Sequence, residues 1–262
     1  MNQRASGPAN AEQIIRLNLA RARALPADPG RRYIVVDAAS QRLWLYEDGR
    51  VRETMKVVVG KPTEQTPMLA GLMRYVVVNP YWNVPPDLVR VRIAPNVQKN
   101  GQKWFRKMGY EAMSGWSDDA RKLDPAKIDW AAVASGRQEL AVRQLPGGKN
   151  AMGRMKFMMP NDLGIYLHDT PEKELFAKPE RRFSSGCVRL EDAPRLARAL
   201  FGRTLAPRTG EPEERVDLPE AVPVYITYLT AAPVGDAISF AADSYGRDRV
   251  QLAQTGSRAG SQ

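Results

Sequence analysis

Two reactive side chains are nearly missing. The 262 residues hold one cysteine, Cys187, and one histidine, His168. A single thiol excludes an internal disulfide and says nothing of redox compartment. The same scarcity excludes a zinc site with several His or Cys ligands, and the Asp and Glu residues lack calcium-loop spacing, so neither metal nor cofactor is expected. Long apolar runs are missing too. The longest charge-free one, residues 221–235, spans 15 residues and holds two prolines, too short and too broken to cross a bilayer. The first eight residues lack the apolar segment of an export signal, which fits either a cytosolic protein or one whose leader was removed.

Acidic residues are outnumbered, 29 against 39 Lys plus Arg, which gives a net charge of +10. Nucleic acid is the obvious partner for such a charge. However, no zinc-finger, homeodomain or RNP-like string occurs and the aromatics do not interleave with the basic runs, so no nucleic-acid partner is expected. With 43% hydrophobic and 26% charged residues the chain has a globular composition.

Asn10 with Gln13 reads as a capping box, and Ile14, Leu17, Ala20 and Ala24 follow at helical spacing, predicting a leading helix over 10–25. Short Val/Ile/Leu/Tyr-rich runs over 33–37, 42–46, 51–59 and 72–78 then predict four strands, with Asp48-Gly49 as a hairpin turn. Residues 80–149 change character, and Pro95–Met108 and Asp124–Ser135 read as short helices. Residues 85–149 carry 12 basic and 7 acidic side chains, half of the net excess. This is either a solvated face or a positively charged lid over an acidic ligand. Strands resume over 154–159 and 164–168, a helix is expected over 193–201 capped by Asp192 and closed by Gly202, and strands return over 222–230 and 237–242. Residues 251–262, rich in Gly, Ser, Gln and Arg, read as a flexible tail.

His168 and Cys187 lie 19 positions apart, one at the end of a predicted strand, the other in a Ser-Ser-Gly-Cys turn. Thiol plus imidazole is the minimal activated nucleophile, and an imidazolium or helix N-terminus beside the sulfur would favour thiolate. Gly186 would let the backbone turn sharply and leave amide N–H groups for an oxyanion. Each residue also has a plainer reading, Cys187 as a small buried hydrophobe and His168 as a satisfied core side chain.

Tyr166-Leu167-His168-Asp169-Thr170-Pro171, followed by Phe183-Ser184-Ser185-Gly186-Cys187-Val188-Arg189-Leu190, resembles the signature of the YkuD-type L,D-transpeptidases. The residues around Tyr33–Tyr46 and Val224–Tyr228 resemble that family's opening hairpin and closing strand. Asn79–Pro85, the long insert and Gly153–Phe157 resemble its YcbB-like branch, in which the insert caps the active site. The resemblance covers roughly residues 30–250. It implies a mostly β fold with α, a β-sandwich core with an inserted α-helical lid. The expected organisation is a linker and leading helix over 1–30, a catalytic domain over 31–250 with its lid near 80–149, and a tail over 251–262.

The resemblance also implies a reaction. Cys187 would attack the carbonyl between residues three and four of a peptidoglycan stem tetrapeptide, release D-alanine and pass the acyl group to the side-chain amine of a second stem. His168 maps to the general base, Gly186 to the oxyanion region, and the Asp169 backbone carbonyl to the acceptor that orients the imidazole; the Asp169 carboxylate is the less favoured third member. Arg189 stands where many members carry Asn, and is read either as a ligand for a stem carboxylate or as a structural ion pair. Ser185 replaces a second histidine of many relatives. Tyr166 and Trp82 would flank the groove or serve as core aromatics, and Ser184 and Ser185 complete the expected substrate contacts.

Peptidoglycan stems and carbapenem inhibitors are the partners implied, in the periplasm or cell envelope, with a leader and a glycan-binding domain lost from this chain. An L,D-carboxypeptidase with water as acceptor, or a silent wall-binding domain with Cys187 buried, are the alternatives. Ser-x-x-Lys and Lys-Thr-Gly strings of penicillin-binding enzymes are missing, and the His-before-Cys order is the reverse of papain-like proteases.

Overall fold

The computed structural model describes residues 8–117, 119–207 and 210–259. Helix α1 (Ala11–Ala22) leads into β1 (Arg32–Asp37), β2 (Arg42–Glu47), β3 (Arg50–Gly60) and β4 (Leu69–Val78). The β2–β3 hairpin turns on Asp48 and Gly49, both with positive φ, as a two-residue turn of this chemistry requires. After the segment between β4 and β9 come β9 (Met155–Met158), β10 (Leu167–His168), β11 (Arg182–Ser184), β12 (Val188–Leu190), α5 (Ala193–Phe201) and β13 (Glu214–Thr227). A small hairpin, β14 (Ala231–Val234) with β15 (Ala237–Phe240), and helix α6 (Arg247–Ala259) complete the chain.

One nine-stranded sheet runs β11-β3-β12-β10-β9-β4-β13-β1-β2, and β2 also pairs with β3, so the sheet curls until its two halves face each other across one core. Inward positions alternate along the strands, with Ile34, Val36, Leu43, Leu45, Met55 and Val57 all buried. Helix α5 packs Leu196, Ala197 and Leu200 against this face. Its ends are as the sequence predicts: the Asp192 carboxylate accepts from the Arg195 N–H at 2.9 Å, and Gly202 closes the helix at φ +68°.

The segment between β4 and β9 is a unit with its own core, but not an all-helical one. It contains β5 (Trp82–Val84), β6 (Tyr110–Met113), β7 (Lys122–Leu123) and β8 (Ala141–Gln144) in one sheet ordered β5-β8-β6-β7. Against it lie α2 (Pro86–Leu88), a π-helical turn (Val89–Ile93), α3 (Ala94–Lys107) and α4 (Trp130–Ser135), with Phe105, Val97, Val142 and Trp130 buried between. The expected helical lid is therefore corrected to a mixed unit. Its strands have two to four residues, too short to display a two-residue period. Asn150, buried, fastens both ends of the unit by donating to the carbonyls of Pro80 (2.9 Å) and Leu145 (3.0 Å).

Both terminal expectations change. Asn10 makes no capping hydrogen bond, and the buried face of α1 is polar, Asn18 and Arg21, while Ala20 and Ala24 are exposed. Most of the expected tail is helical: α6 reaches Ala259, and residues 260–262 lie outside the described residues. The first seven residues of the expected linker also lie outside them.

Candidate active site

Parallel pairing of β10 with β12 sets the site. Leu167 is in register with Val188 and His168 with Arg189, so the imidazole strand and the strand that follows the thiol run side by side. The Val188 N–H donates to the Tyr166 carbonyl at 3.2 Å. Side chains of His168, Cys187, Tyr166, Ser184, Ser185 and Arg189 meet at one cavity of about 330 Å³ between the curled sheet and the inserted unit. Trp82 lines it from the opposite wall, with Arg92, Trp104, Tyr110 and Lys149. All the expected site residues except Gly186 and Asp169 line this cavity.

His168 is buried, and its Nδ1 lies 2.5 Å from the Asp169 carbonyl oxygen. A carbonyl only accepts, so Nδ1 carries the proton and Nε2 presents a lone pair. Burial, with the positive charge of Arg189 adding to it, pushes the imidazole pKa down to about 3. The Asp169 carboxylate faces elsewhere: Oδ2 accepts from the Arg154 N–H at 2.9 Å and Oδ1 pairs with Lys173 at 2.7 Å. It is not a third member of a triad.

Cys187 is half-buried and free. Burial pushes its thiol pKa up, against the lowering influence of the Tyr166 N–H, the Arg189 charge and the Tyr166 hydroxyl. Both shifts favour the uncharged forms, a thiol and an imidazole that line the same cavity. Tyr166 stands edge-on to His168, ring centroids 5.8 Å apart.

The turn before the sulfur is built by Ser184. Its hydroxyl donates to the Cys187 carbonyl at 2.6 Å and accepts the Gly186 N–H at 3.2 Å. This makes Ser184 a brace of the turn, and it engages the Gly186 amide that the sequence reading assigned to an oxyanion. The Cys187 N–H makes no hydrogen bond among the described residues. Gly186 itself sits at φ +113°, a conformation that side-chain-bearing residues rarely adopt.

Arg189 forms an ion pair with Glu172, a residue the sequence reading missed, so the structural alternative for Arg189 is the one seen. Ser185 is exposed and its hydroxyl helps hold the Glu64 carboxyl below its ordinary range, after the larger influence of Lys61. No sequence signal marked Glu172 or Glu64, because neither belongs to a recognisable string. Arg92 was visible only as part of a basic excess. Among the described residues no group of three His, Cys, Asp or Glu side chains is placed to hold a metal ion.

The family model for the L,D-transpeptidase catalytic domain, the YkuD domain, matches residues 31–225. The chain belongs to the YkuD-type L,D-transpeptidase family. It is 32% identical over 257 residues to a Haemophilus influenzae protein whose name assigns it provisionally to the L,D-transpeptidases. The match covers 95% of this chain and 51% of that protein, so the chain spans about half the length of that relative. Among solved structures, an L,D-transpeptidase of Mycobacterium smegmatis is 12% identical, covers 75% of this chain and 58% of its own, and has a TM-score of 0.38. The ertapenem-acylated catalytic domain of the Enterococcus faecium enzyme is 17% identical, with 76% and 99% covered and a TM-score of 0.32. The YkuD domain here is mostly β, with the mixed unit inserted between β4 and β9.

Proposed function

We propose that this domain catalyses L,D-transpeptidation on peptidoglycan stem tetrapeptides in the cell envelope, through a thioester on Cys187, forming 3-3 cross-links. The observation that carries the reading is the contact of His168 Nδ1 with the Asp169 carbonyl, which leaves Nε2 unprotonated on a residue that lines the same cavity as Cys187. Nε2 takes the thiol proton as sulfur bonds to the donor carbonyl carbon, and the Cys187 N–H is the free donor for the oxyanion. Collapse breaks the C–N bond, and D-alanine leaves with the proton from Nε2. The second stem's amine then attacks the thioester carbonyl; Nε2 takes its proton and returns it to the departing sulfur, restoring thiol and imidazole.

Arg92 and Lys149 at the cavity suit an acidic stem, Arg189 being paired with Glu172 there, while Trp82, Trp104 and Tyr110 offer flat faces to its backbone. Intact mass after mixing with a carbapenem tests the nucleophile. One drug mass should add to the native chain and none to Cys187→Ala, and no adduct on the native chain would remove the reading. Product analysis with a tetrapeptide donor and an amine acceptor then separates cross-linking from hydrolysis by water.

A further inference from the structure

The loop between β3 and β4 bonds to the turn that carries the thiol at Ser184 and at Gly186. The Lys61 N–H donates to the Ser184 carbonyl at 3.0 Å, and the Thr66 hydroxyl donates to the Gly186 carbonyl at 2.8 Å. Thr66 has no exposed surface, and its Oγ also accepts the Gly60 N–H at 2.8 Å. This one hydroxyl thus ties the end of β3 to the residue before the nucleophile.

The loop is held in turn by residues beyond the family match, which ends at residue 225. The Tyr245 hydroxyl donates to the Gly60 carbonyl at 2.6 Å. Arg247 donates from Nε to Gln65 Oε1 at 3.0 Å and from Nη2 to the Thr66 carbonyl at 2.9 Å, and Gln65 Nε2 returns a bond to the Tyr245 carbonyl at 3.1 Å. Tyr228 and Tyr245 stack with centroids 5.2 Å apart, and the Arg247 guanidinium lies within 5.0 Å of both rings. A planar cation that both stacks and forks is geometrically fixed in a way lysine cannot copy.

We propose that Tyr245 and Arg247 are positioning residues for the Cys187 nucleophile, acting through Thr66 on the Gly186 carbonyl, so that the segment after β13 is part of the catalytic apparatus. This rests on Cys187 being the nucleophile. The placement of the Cys187 N–H follows from the neighbouring Gly186 peptide, so a turn released from Thr66 would lose both the sulfur's direction and the oxyanion donor.

The test measures carbapenem acylation of Cys187 by time-resolved intact mass, iodoacetamide alkylation against pH, and thermal melting, on the full chain. Thr66→Val, which keeps the shape and removes the hydroxyl, and Tyr245→Phe should each slow acylation at least tenfold and shift the pH profile of alkylation. Thr66→Ser should retain the native rate, and Arg247→Lys should be slower than native while remaining folded. Native-rate acylation in Thr66→Val or Tyr245→Phe, with only the melting temperature lowered, would overturn the proposal. Should Tyr245→Phe fail to fold, the Thr66→Val and Thr66→Ser pair decides alone. If the native chain is not acylated, the transpeptidase reading fails, while the alkylation profiles still report whether the brace sets the thiol's environment.

Discussion

At the scale of single residues, the transpeptidase reading turns on a histidine whose burial favours its neutral form. An unfolded histidine titrates near pH 6.5, whereas burial holds His168 down to about 3. Between these values the unfolded chain binds a proton that the native chain refuses, so stability falls as pH drops from 6.5 toward 3 and is unaffected above 6.5. At pH 4.5 the loss from this one group is about 2–3 kcal/mol. His168→Gln retains a donor for the Asp169 carbonyl but cannot be protonated. Urea unfolding at pH 7.5 and 4.5 should show the variant losing about that much less stability than the native chain across the interval, and equal losses would mean His168 is charged when folded. Both residues proposed to react stand out in the sequence because they are the only ones of their kind and sit in a recognisable string. The residues that hold them were not. Ser184 reads in sequence as a substrate contact and is in fact bonded to its own turn, and Thr66 lies 121 positions before Cys187 with nothing local to mark it.

At the scale of elements, β1 to β4 and α5 were legible because each is long enough to show its period and is punctuated by turn or cap residues. The strands β5 to β8, β11 and β12 were not, since two to four residues carry no period and are fixed by their partners. The π-helical turn Val89–Ile93 was equally invisible, yet it has a consequence. A π turn re-aims side chains relative to an α-helix, and such turns recur at functional sites. Arg92 sits on it, lines the reaction cavity, and forms no ion pair among the described residues. Under the transpeptidase reading Arg92 receives a carboxylate of the donor stem. Arg92→Ala should lower kcat/KM for a stem with free carboxylates by about 1–2 kcal/mol, a five- to thirtyfold loss, the partial exposure of the site holding it below a buried pair. A stem with amidated carboxylates should lose less than twofold. Equal losses on both substrates would show that Arg92 shapes the cavity without reading charge.

At the scale of the whole molecule, the two terminal helices close the structure on each other. The composition of residues 251–262 suggested a tail because its Gly, Ser and Gln content gives no apolar stripe, and the helical spacing of Ile14, Leu17, Ala20 and Ala24 pointed to a face of α1 other than the buried one, Asn18 and Arg21. What holds them is polar. Arg21, 8% exposed, donates to Asp248 at 2.6 Å, to the Tyr228 carbonyl at 3.1 Å and to Gln251 at 2.6 Å. The Thr230 hydroxyl gives Asp248 a second bond, and Asn18 exchanges two bonds with Thr230. A buried ion pair contributes little net stability against an apolar replacement, but removing one partner strands the other charge and costs about 3–5 kcal/mol. Arg21→Met should therefore destabilise the chain by about that amount in urea unfolding, through the Asp248 carboxylate left with the Thr230 hydroxyl as its donor among the described residues. Adding Asp248→Asn removes the stranded charge while keeping an oxygen for Thr230, so the double variant should regain more than half of the loss. The same two chains should also report on the brace, because α6 begins at Arg247: carbapenem acylation should slow in Arg21→Met and recover in the double variant alongside stability. A double variant as unstable as the sum of its two single changes would show that Arg21 and Asp248 are not coupled.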